Sequence, residues 1–302
     1  MRIALKVDVD TLRGTLEGVP ALLRLFDTYK VRATFFFSLG PDNTGRALRR
    51  IFRPGFLAKV RRTSVASHYG LKTLLYGTLL PAPDIGRRAA DVVRSVAEAG
   101  HEVGVHCYDH TKWQDYVAHQ DEAWTQTEME RATEAFQRIF GDLPKAHGAA
   151  GWQINPYAIA LEERMGFDYA SDTRGKTAFL PMLQGVRSAC PQIPTTLPTL
   201  DELIGRDGVT AENAHELLFA ESQYVLPQGQ VYTLHAELEG MKLQRVMEKL
   251  LIMWRGGQGE LRALGDVYRE LDLARLPTHQ VGWGEVPGRS GFLAMQGVPV
   301  PA

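Results

Sequence analysis

Two aspartates near the start of the chain have a spacing suited to metal binding or to acid–base chemistry. Asp8 and Asp10 stand two positions apart at the end of an apolar segment that begins at Arg2. Because side chains alternate along a β-strand, both carboxylates are expected on one face. Buried carboxylates are costly to leave unpaired, so we expect them to serve a metal ion, a base or both. The alternative is a polar pair that ends the strand in a turn or caps a helix.

Three histidines further along the chain have residue types that would complete such a site. His106 and His110 occur in HCYDH directly after another apolar segment. A spacing of four on one helical turn would bring both imidazoles to one side, although this spacing taken alone favours a pair of surface histidines. His235 ends a third apolar segment, and Glu237, two residues further on, is expected on the same face as His235. Histidine and carboxylate ligands suit zinc, manganese, cobalt or iron.

The segments that must position these residues alternate between strand and helix. The sequence predicts strands over 2–9, 33–38, 101–106, 167–171, 192–194 and 231–235, and helices over 17–29, 84–99, 122–140, 155–165, 242–254 and 260–271. This alternation predicts an α/β fold built from parallel β/α units. A closed barrel of that kind carries its chemistry at the C-terminal ends of its strands, where Asp8, His106 and His235 stand.

Composition narrows the class of protein and its surroundings. The chain has 302 residues, 44% hydrophobic and 23% charged, which suits a large domain with a sizeable core. The net charge of −1 argues against a nucleic-acid partner. Two cysteines, Cys107 and Cys190, make no disulfide framework. We see no secretory signal and no membrane-spanning run, and therefore expect a cytoplasmic protein able to lie on a membrane.

Two regions depart from the alternating pattern. Residues 43–83 contain eight basic residues and no Asp or Glu, and the bases are interleaved with Leu, Ile and Phe. We expect this stretch to be an inserted basic amphipathic helical segment. Residues 275–302 are rich in Gly and Pro and are expected to form an irregular tail, which leaves residues 1–274 as the barrel.

The chemistry-bearing segments together resemble the polysaccharide-deacetylase (NodB-homology) family. Its Asp-containing first motif resembles residues 8–10, its His-Ser/Thr-x-x-His motif resembles residues 106–110, and its late Leu-x-His motif resembles Leu234-His235. The resemblance covers roughly residues 1–270 and implies a distorted (β/α)7-type barrel with one divalent metal ion, zinc, manganese or cobalt.

This sequence departs from the family pattern at three places. Val9 separates the two aspartates, and Cys107 replaces the usual Ser or Thr. The Arg-x-Pro motif is absent, and HGAAGW at residues 147–152 occupies its place. We therefore predict that Arg174 pairs with Asp8 in place of the missing arginine, because a buried base needs a partner that orients it.

Segments spread over the chain resemble a subfamily of bacterial deformylases that act on 4-deoxy-4-formamido-L-arabinose linked to undecaprenyl phosphate. They are DVDT, GPDNTGR, AAGW, SDTRG, QIPTTLPTLDELIGRD and HAELEG. The resemblance implies removal of formate at the cytoplasmic face of the inner membrane, giving the amino-sugar lipid used in lipid A modification and polymyxin resistance. The alternatives are an N-deacetylase of another amino sugar and a non-catalytic lipid- or sugar-binding module.

If the chain is such a deformylase, the resemblance implies the following roles, which we state as hypotheses. Asp10, His106 and His110 hold the metal, Asp8 is the general base and His235 the general acid, although Asp8 and Asp10 can exchange roles. Asp172 is expected to orient His235. A backbone N–H near Cys107 or Tyr108 is expected to stabilise the oxyanion, and Trp152 to line the acyl pocket.

The basic segment independently indicates a lipid partner. The residues expected to contact an anionic inner-membrane surface are Arg46, Arg49, Arg50, Phe52, Arg53, Phe56, Lys59, Arg61 and Arg62. Helices of this composition lie in the bilayer interface with their apolar side buried. The alternative is a cap on the barrel with a solvated basic face.

Overall fold

The centre of the fold is a curled parallel sheet. The computed structural model describes residues 1–47, 70 and 72–301, and within them seven strands form this sheet in the order β5-β4-β3-β2-β1-β8, with β9 beside the first residues of β1. The strands of the chain are β1 Arg2–Val9, β2 Thr34–Ser38, β3 Glu102–Cys107, β4 Ala146–His147, β5 Tyr169–Ala170, β6 Leu180–Leu183, β7 Val186–Arg187, β8 Gln230–His235, β9 Glu260–Arg262, β10 Thr278–Glu285 and β11 Phe292–Pro299.

Helices pack around this sheet. They are α1 Val19–Thr28, α2 Ile85–Arg88, α3 Ala90–Glu98, α4 His110–Tyr116, α5 Glu122–Phe140, α6 Pro156–Arg164, α7 Leu200–Leu203, α8 Ala214–Ser222, α9 Gln244–Gly256 and α10 Leu264–Arg269. Single π-helical turns lie at Gly14–Gly18 and Leu238–Lys242, and 3-10 turns at Thr73–Leu75, Val117–His119, Ala150–Trp152 and Leu273–Arg275. Within the described residues no helix is long and apolar enough to cross a bilayer.

An irregular segment joins the two edges of the curled sheet. Ile193 N donates to Ala170 O of β5 at 2.8 Å, and Thr196 N donates to Val231 O of β8 at 3.1 Å. The expected strand at 192–194 is therefore a bridging segment, which pairs through single residues such as Gln192 with Ala170. The prediction of a distorted barrel with about seven strands is confirmed.

The alternation along β1 separates the core from the site. Leu5, Val7 and Val9 pack under the helices in the main apolar core. Lys6 and Asp8, on the opposite face, are equally buried and point into the barrel. Because an ionised group in an apolar interior needs partners, the inner face of β1 marks where polar chemistry is concentrated.

The expected irregular tail is wrong, because residues 278–285 and 292–299 form an antiparallel hairpin. β10 pairs in parallel with β6, which pairs with β7, giving a second sheet of four strands. The hairpin buries Val281 and Ala294 against the apolar cluster that contains Phe179. Those few buried residues on a Gly-rich background are enough to order the end of the chain.

The two ends of the predicted insertion meet next to the site. Asp42 N donates to Pro83 O at 2.8 Å, and Gly45 N donates to Tyr76 O at 3.0 Å. Arg46 is exposed, and its Nε donates to Gly77 O at 3.1 Å. The other residues predicted to touch lipid lie outside the described residues: Arg49, Arg50, Phe52, Arg53, Phe56, Lys59, Arg61 and Arg62.

Candidate active site

The three predicted metal ligands lie together at the C-terminal end of the sheet. Asp10 Oδ1 is 3.3 Å from His106 Nε2 and 3.4 Å from His110 Nε2. This oxygen is buried and accepts no hydrogen bond from any described residue. Ligands at about 2.1 Å around a tetrahedral zinc ion stand roughly 3.4 Å apart, so the spacing fits a shared cation. The neighbouring imidazoles outweigh the effect of burial and lower the pKa of Asp10, which favours the carboxylate that a metal needs.

The two histidines reach this point from different elements. His106 is in β3, whereas His110 is the first residue of α4. The expectation that both lie on one helical turn is therefore wrong, although their Nε2 atoms do converge. His106 Nδ1 contacts Gly148 O, so Nδ1 carries the proton and Nε2 is left as the lone-pair donor.

Asp8 and His235 face each other across adjacent strands. They are paired in the β1–β8 register, and neighbours in register on parallel strands point to the same side. Asp8 Oδ1 and His235 Nδ1 are both buried atoms without a hydrogen-bond partner among the described residues. His235 N donates to Glu239 Oε2 at 2.9 Å, which fixes the end of β8. The pair thus presents a carboxylate oxygen and a ring nitrogen whose hydrogen bonds are not made by any described residue.

Lys6 is the cation beside Asp8, and sequence reasoning missed it. Its Nζ lies 3.8 Å from Asp8 Oδ2 and donates to Ser171 O at 2.6 Å. The ammonium is fully buried between the rings of Phe36 and Trp152, 5.4 Å from each centroid. Burial lowers the pKa of Lys6, and Asp8 partly opposes that shift. A charged residue two positions before Asp8 in an otherwise apolar strand is the signal that would have found it.

The predicted ion pair between Arg174 and Asp8 is wrong. Arg174 Nη1 donates to Glu202 Oε1 at 2.7 Å and its Nη2 to Leu197 O at 3.0 Å. Among the described residues no ion pair joins it to Asp8. The reason is local, because Arg174 N donates to Ala294 O of β11 at 2.9 Å and so fixes the residue beside the hairpin.

Asp172 likewise does not orient His235. It belongs to a separate, fully buried group in which His147 Nδ1 is 2.8 Å from Glu162 Oε1 and 3.2 Å from Asp172 Oδ1. Asp172 also accepts from Ala149 N at 2.6 Å and from Gln192 Nε2 at 2.8 Å. This trio has metal-ligand residue types, but its donors and acceptors satisfy one another. It therefore fixes the backbone around Gly148, whose carbonyl contacts His106.

The charge states within this trio follow from burial. Burial and the charge of Asp172 raise the pKa of Glu162 well above its usual range. Burial lowers the pKa of His147, but Asp172 and Glu162 outweigh it and raise the value to about 10. Although burial acts against it, the neighbouring His147 holds the pKa of Asp172 below its usual range. The trio is best described as an imidazolium, an Asp172 carboxylate and a neutral Glu162.

Glu237 supports the turn that follows β1 and does not lie alongside the ring of His235. Its Oε1 accepts from Asp10 N at 3.0 Å, from Thr11 N at 2.9 Å and from Thr11 Oγ1 at 2.8 Å. A Cβ on Gly14 would lie 1.9 Å from this oxygen, so only glycine fits there. Burial and the charge of Asp10 raise the pKa of Glu237 to about 8. The carboxyl group thereby orients the backbone of a predicted metal ligand.

The residues expected at the oxyanion and acyl pocket are each held by contacts of their own. Cys107 Sγ is buried 3.3 Å from Ser38 Oγ, and burial raises the pKa of the thiol well above its usual range. Tyr108 O accepts from Gly40 N at 2.8 Å, which holds the start of the HCYDH loop. Trp152 is buried and its Nε1 donates to Thr195 Oγ1 at 3.2 Å. An oxyanion role for the N–H groups near Cys107 and Tyr108 remains a prediction.

The chain is similar to known proteins in sequence and in fold. The polysaccharide deacetylase family model matches residues 2–170. The chain therefore belongs to the polysaccharide deacetylase family, whose members hydrolyse amide C–N bonds. A probable 4-deoxy-4-formamido-L-arabinose-phosphoundecaprenol deformylase from Shewanella sediminis is 37% identical over 98% of this chain and 94% of its own. The corresponding protein of Wigglesworthia glossinidia brevipalpis is 32% identical over 94% and 98%.

A solved structure gives the same architecture. A putative polysaccharide deacetylase from Mycobacterium smegmatis superposes with a TM-score of 0.65 over 94% of both chains, at 18% identity. At that identity the likeness concerns the fold.

Proposed function

We propose that this chain hydrolyses the formamide of 4-deoxy-4-formamido-L-arabinose linked to undecaprenyl phosphate, releasing formate and the free amino-sugar lipid. The observation that carries the proposal is that Asp8 and His235 face each other beside the Asp10, His106 and His110 group. The two curated relatives named for this activity match nearly the whole chain. The proposed substrate is therefore the one in their names.

One divalent ion, zinc, manganese or cobalt, is proposed at Asp10, His106 and His110. The donor set is one carboxylate and two imidazoles, which suits all three ions. When bound, such an ion activates water and polarises the acyl oxygen. Gly148 and Glu237 act as the outer supports, because one orients the ring of His106 and the other the backbone of Asp10.

Asp8 and His235 are proposed to move the protons. The unpartnered Oδ1 of Asp8 takes a proton from the attacking water. The ring of His235 gives a proton to the leaving nitrogen of the sugar, because an amine anion is too poor a leaving group to depart unprotonated. Lys6 lies beside Oδ2 of Asp8 and is proposed to orient its carboxylate.

Contact with an anionic membrane is proposed for residues 43–83. The segment carries eight basic residues and no acidic one, and its two ends meet beside the site at Asp42 and Gly45. Anionic headgroups attract such a segment by on the order of 1 kcal/mol for each Lys or Arg near the surface. We propose peripheral attachment to the cytoplasmic face of the inner membrane, with residues 1–274 as the barrel that carries the metal-binding and proton-transfer residues.

Mass spectrometry of the lipid substrate tests the activity. Metal-loaded protein is incubated with the formamido-arabinose lipid, beside His235→Ala and an acetamido analogue. Loss of the formyl group with the intact protein only is the expected result. Loss of acetyl at an equal rate would favour a general N-deacetylase. No loss from either lipid, with metal bound and the fold intact, would favour a non-catalytic sugar- or lipid-binding module.

A further inference from the structure

The turn between β10 and β11 brings a buried arginine to the site. The guanidinium of Arg289 lies 4.4 Å from the ring centroid of Trp152, and its Nε donates to Glu202 Oε1 at 2.8 Å. Its side chain is only 9% exposed. The same Trp152 ring is approached by Lys6, which in turn lies beside Asp8. Arg289 and Lys6 therefore both approach the ring of Trp152, and Lys6 links that ring to the proposed general base.

The turn is held in place by contacts that leave it little freedom. Gln153 Nε2 donates to Phe292 O at 2.7 Å. Gly288 has a φ of +91°, and a Cβ there would lie 2.2 Å from Glu202 O. The guanidinium is thus fixed by backbone packing as well as by its own hydrogen bond, which is the preorganisation that a binding residue needs.

The outer edge of the guanidinium is available to a ligand. Among the described residues only Nε makes a hydrogen bond, Nη2 forms a long ion pair with Asp201 Oδ2 at 3.9 Å, and Nη1 makes neither kind of contact. Burial opposes the charge, but Asp201, Glu202 and the more distant Asp10 outweigh it and raise the pKa of Arg289. Glu202 Oε1 is shared with Arg174, so one carboxylate oxygen accepts from two arginines.

We propose that Arg289 binds the phosphodiester of the substrate, which rests on the proposed function. Two terminal N–H groups in a fixed fork match two phosphate oxygens, and this pairing is strong where water is excluded. In the relatives' substrate the formamide is on carbon 4 of the sugar, and the phosphate joins the other end of that ring to the lipid. With the amide held at Asp8 and His235, a cation across Trp152 is placed for the phosphate.

A comparison of two substrates tests this assignment. One is the formamido sugar carrying a short prenyl phosphodiester, and the other is its uncharged methyl glycoside. Arg289→Gln is expected to reduce the preference for the phosphodiester, as the ratio of kcat/KM values, by about tenfold or more, mainly through KM. Arg289→Lys keeps the charge but loses the two-pronged guanidinium. Its ratio of kcat/KM values is expected to lie between those of the wild type and Arg289→Gln. Arg275→Gln removes an exposed arginine near the opposite end of β10 and should leave the ratio unchanged.

A loss of the same size on both substrates would overturn the proposal, because Arg289 would then only support the fold. So would an unchanged ratio in a variant whose thermal unfolding matches that of the wild type. Binding of a short prenyl phosphate, measured by calorimetry, separates this from the proposed function, because it needs no hydrolysis. If the wild type cleaves neither substrate, the activity proposal fails, whereas equal prenyl phosphate affinity in the wild type and Arg289→Gln overturns the assignment of Arg289.

Anionic vesicles distinguish the substrate's phosphate from a bilayer headgroup. Arg289→Gln and the wild type are sedimented with phosphatidylglycerol vesicles. Equal sedimentation is expected, because a buried arginine between Trp152 and Glu202 is reached by a bound substrate and not by a flat surface. A marked loss of vesicle binding would assign the arginine to the bilayer and overturn the proposal.

Discussion

The two aspartates of β1 and its following turn differ in what surrounds them. Asp10 lies next to the imidazoles of His106 and His110. Asp8 lies next to the ammonium of Lys6 and is paired in register with His235. We expect Asp10→Ala to lose the metal ion and Asp8→Ala to retain it. Asp8→Ala should lower kcat by about 100-fold or more, the usual contribution of a general base. Metal content after dialysis, measured with turnover on the same samples, checks both; the reverse pattern would exchange the two roles.

Lys6 is expected to act on the reaction through Asp8. Lys6→Met removes a buried charge that Ser171 O and Asp8 satisfy, and leaves Asp8 without a cation. We expect kcat to fall by about tenfold or more while KM and metal content stay the same, because the ammonium contacts neither metal ligands nor, by our proposal, substrate. Lys6→Arg should restore part of the rate. A folded Lys6→Met protein with the wild-type kcat would rule out this positioning role.

The trio of His147, Glu162 and Asp172 holds the short strand β4 and the turn after it. Because Glu162 is the neutral member, Glu162→Gln keeps a group that donates to Asp172 and accepts from His147. We expect it to change the free energy of unfolding by less than about 1 kcal/mol. Asp172→Asn leaves His147 without its counter-charge and should cost about 3 kcal/mol. Urea unfolding at neutral pH measures both, and equal costs would contradict the assigned protonation states.

The same trio predicts how stability depends on pH. Folding raises the pKa of His147 from 6.5 to about 10, so the native state keeps a proton that the unfolded chain loses. This contribution is fully present below pH 6.5 and declines as pH rises towards 10. The stability difference between the wild type and His147→Gln should shrink over that interval. Urea midpoints at pH 6 and pH 9 check this, and a difference that grows with pH would contradict it.

The strands that carry the site were predictable, and the elements that support it were less so. β1, β3 and β8 are buried on both faces and therefore read as continuous apolar runs that end in Asp or His. The expected helix over 260–271 is partly wrong, because residues 260–262 pair with the start of β1 as β9 and only 264–269 are helical. A three-residue strand has too few side chains for a periodic signal.

Side-chain partners that are distant in sequence were the other source of error in predicting the site. Arg174 and Asp172 were assigned to the correct end of the barrel, but their partners Glu202 and His147 are set by side-chain direction and by the hairpin. Within the hairpin only Val281, Leu293 and Ala294 are buried apolar residues, so its composition resembles a loop. Such pairings depend on the folded backbone and leave no mark in local spacing.

At the scale of the whole molecule, charge is distributed unevenly. The net charge is −1, but residues 43–83 carry eight bases and no acid. We expect the protein to sediment with anionic vesicles at low salt, to release as ionic strength shortens the Debye length, and to ignore neutral vesicles. Replacing Arg49, Arg50 and Arg53 with Gln should weaken sedimentation, whereas replacing the exposed Arg24, Arg88 and Arg138 should not. Equal behaviour of the two triple variants would contradict membrane contact through this segment.

The central position of β1 also governs when the site exists during synthesis. Asp8 and Asp10 leave the ribosome long before Glu237, which holds the turn at Asp10 and follows it by 227 positions. Until β8 emerges, one edge of β1 has no neighbour, and until β9 emerges the other edge is paired only with β2. During that time the two carboxylates lack the residues that hold them in place. Arg289 arrives later still. A site that includes all of these residues therefore assembles only after the hairpin of β10 and β11 has left the ribosome.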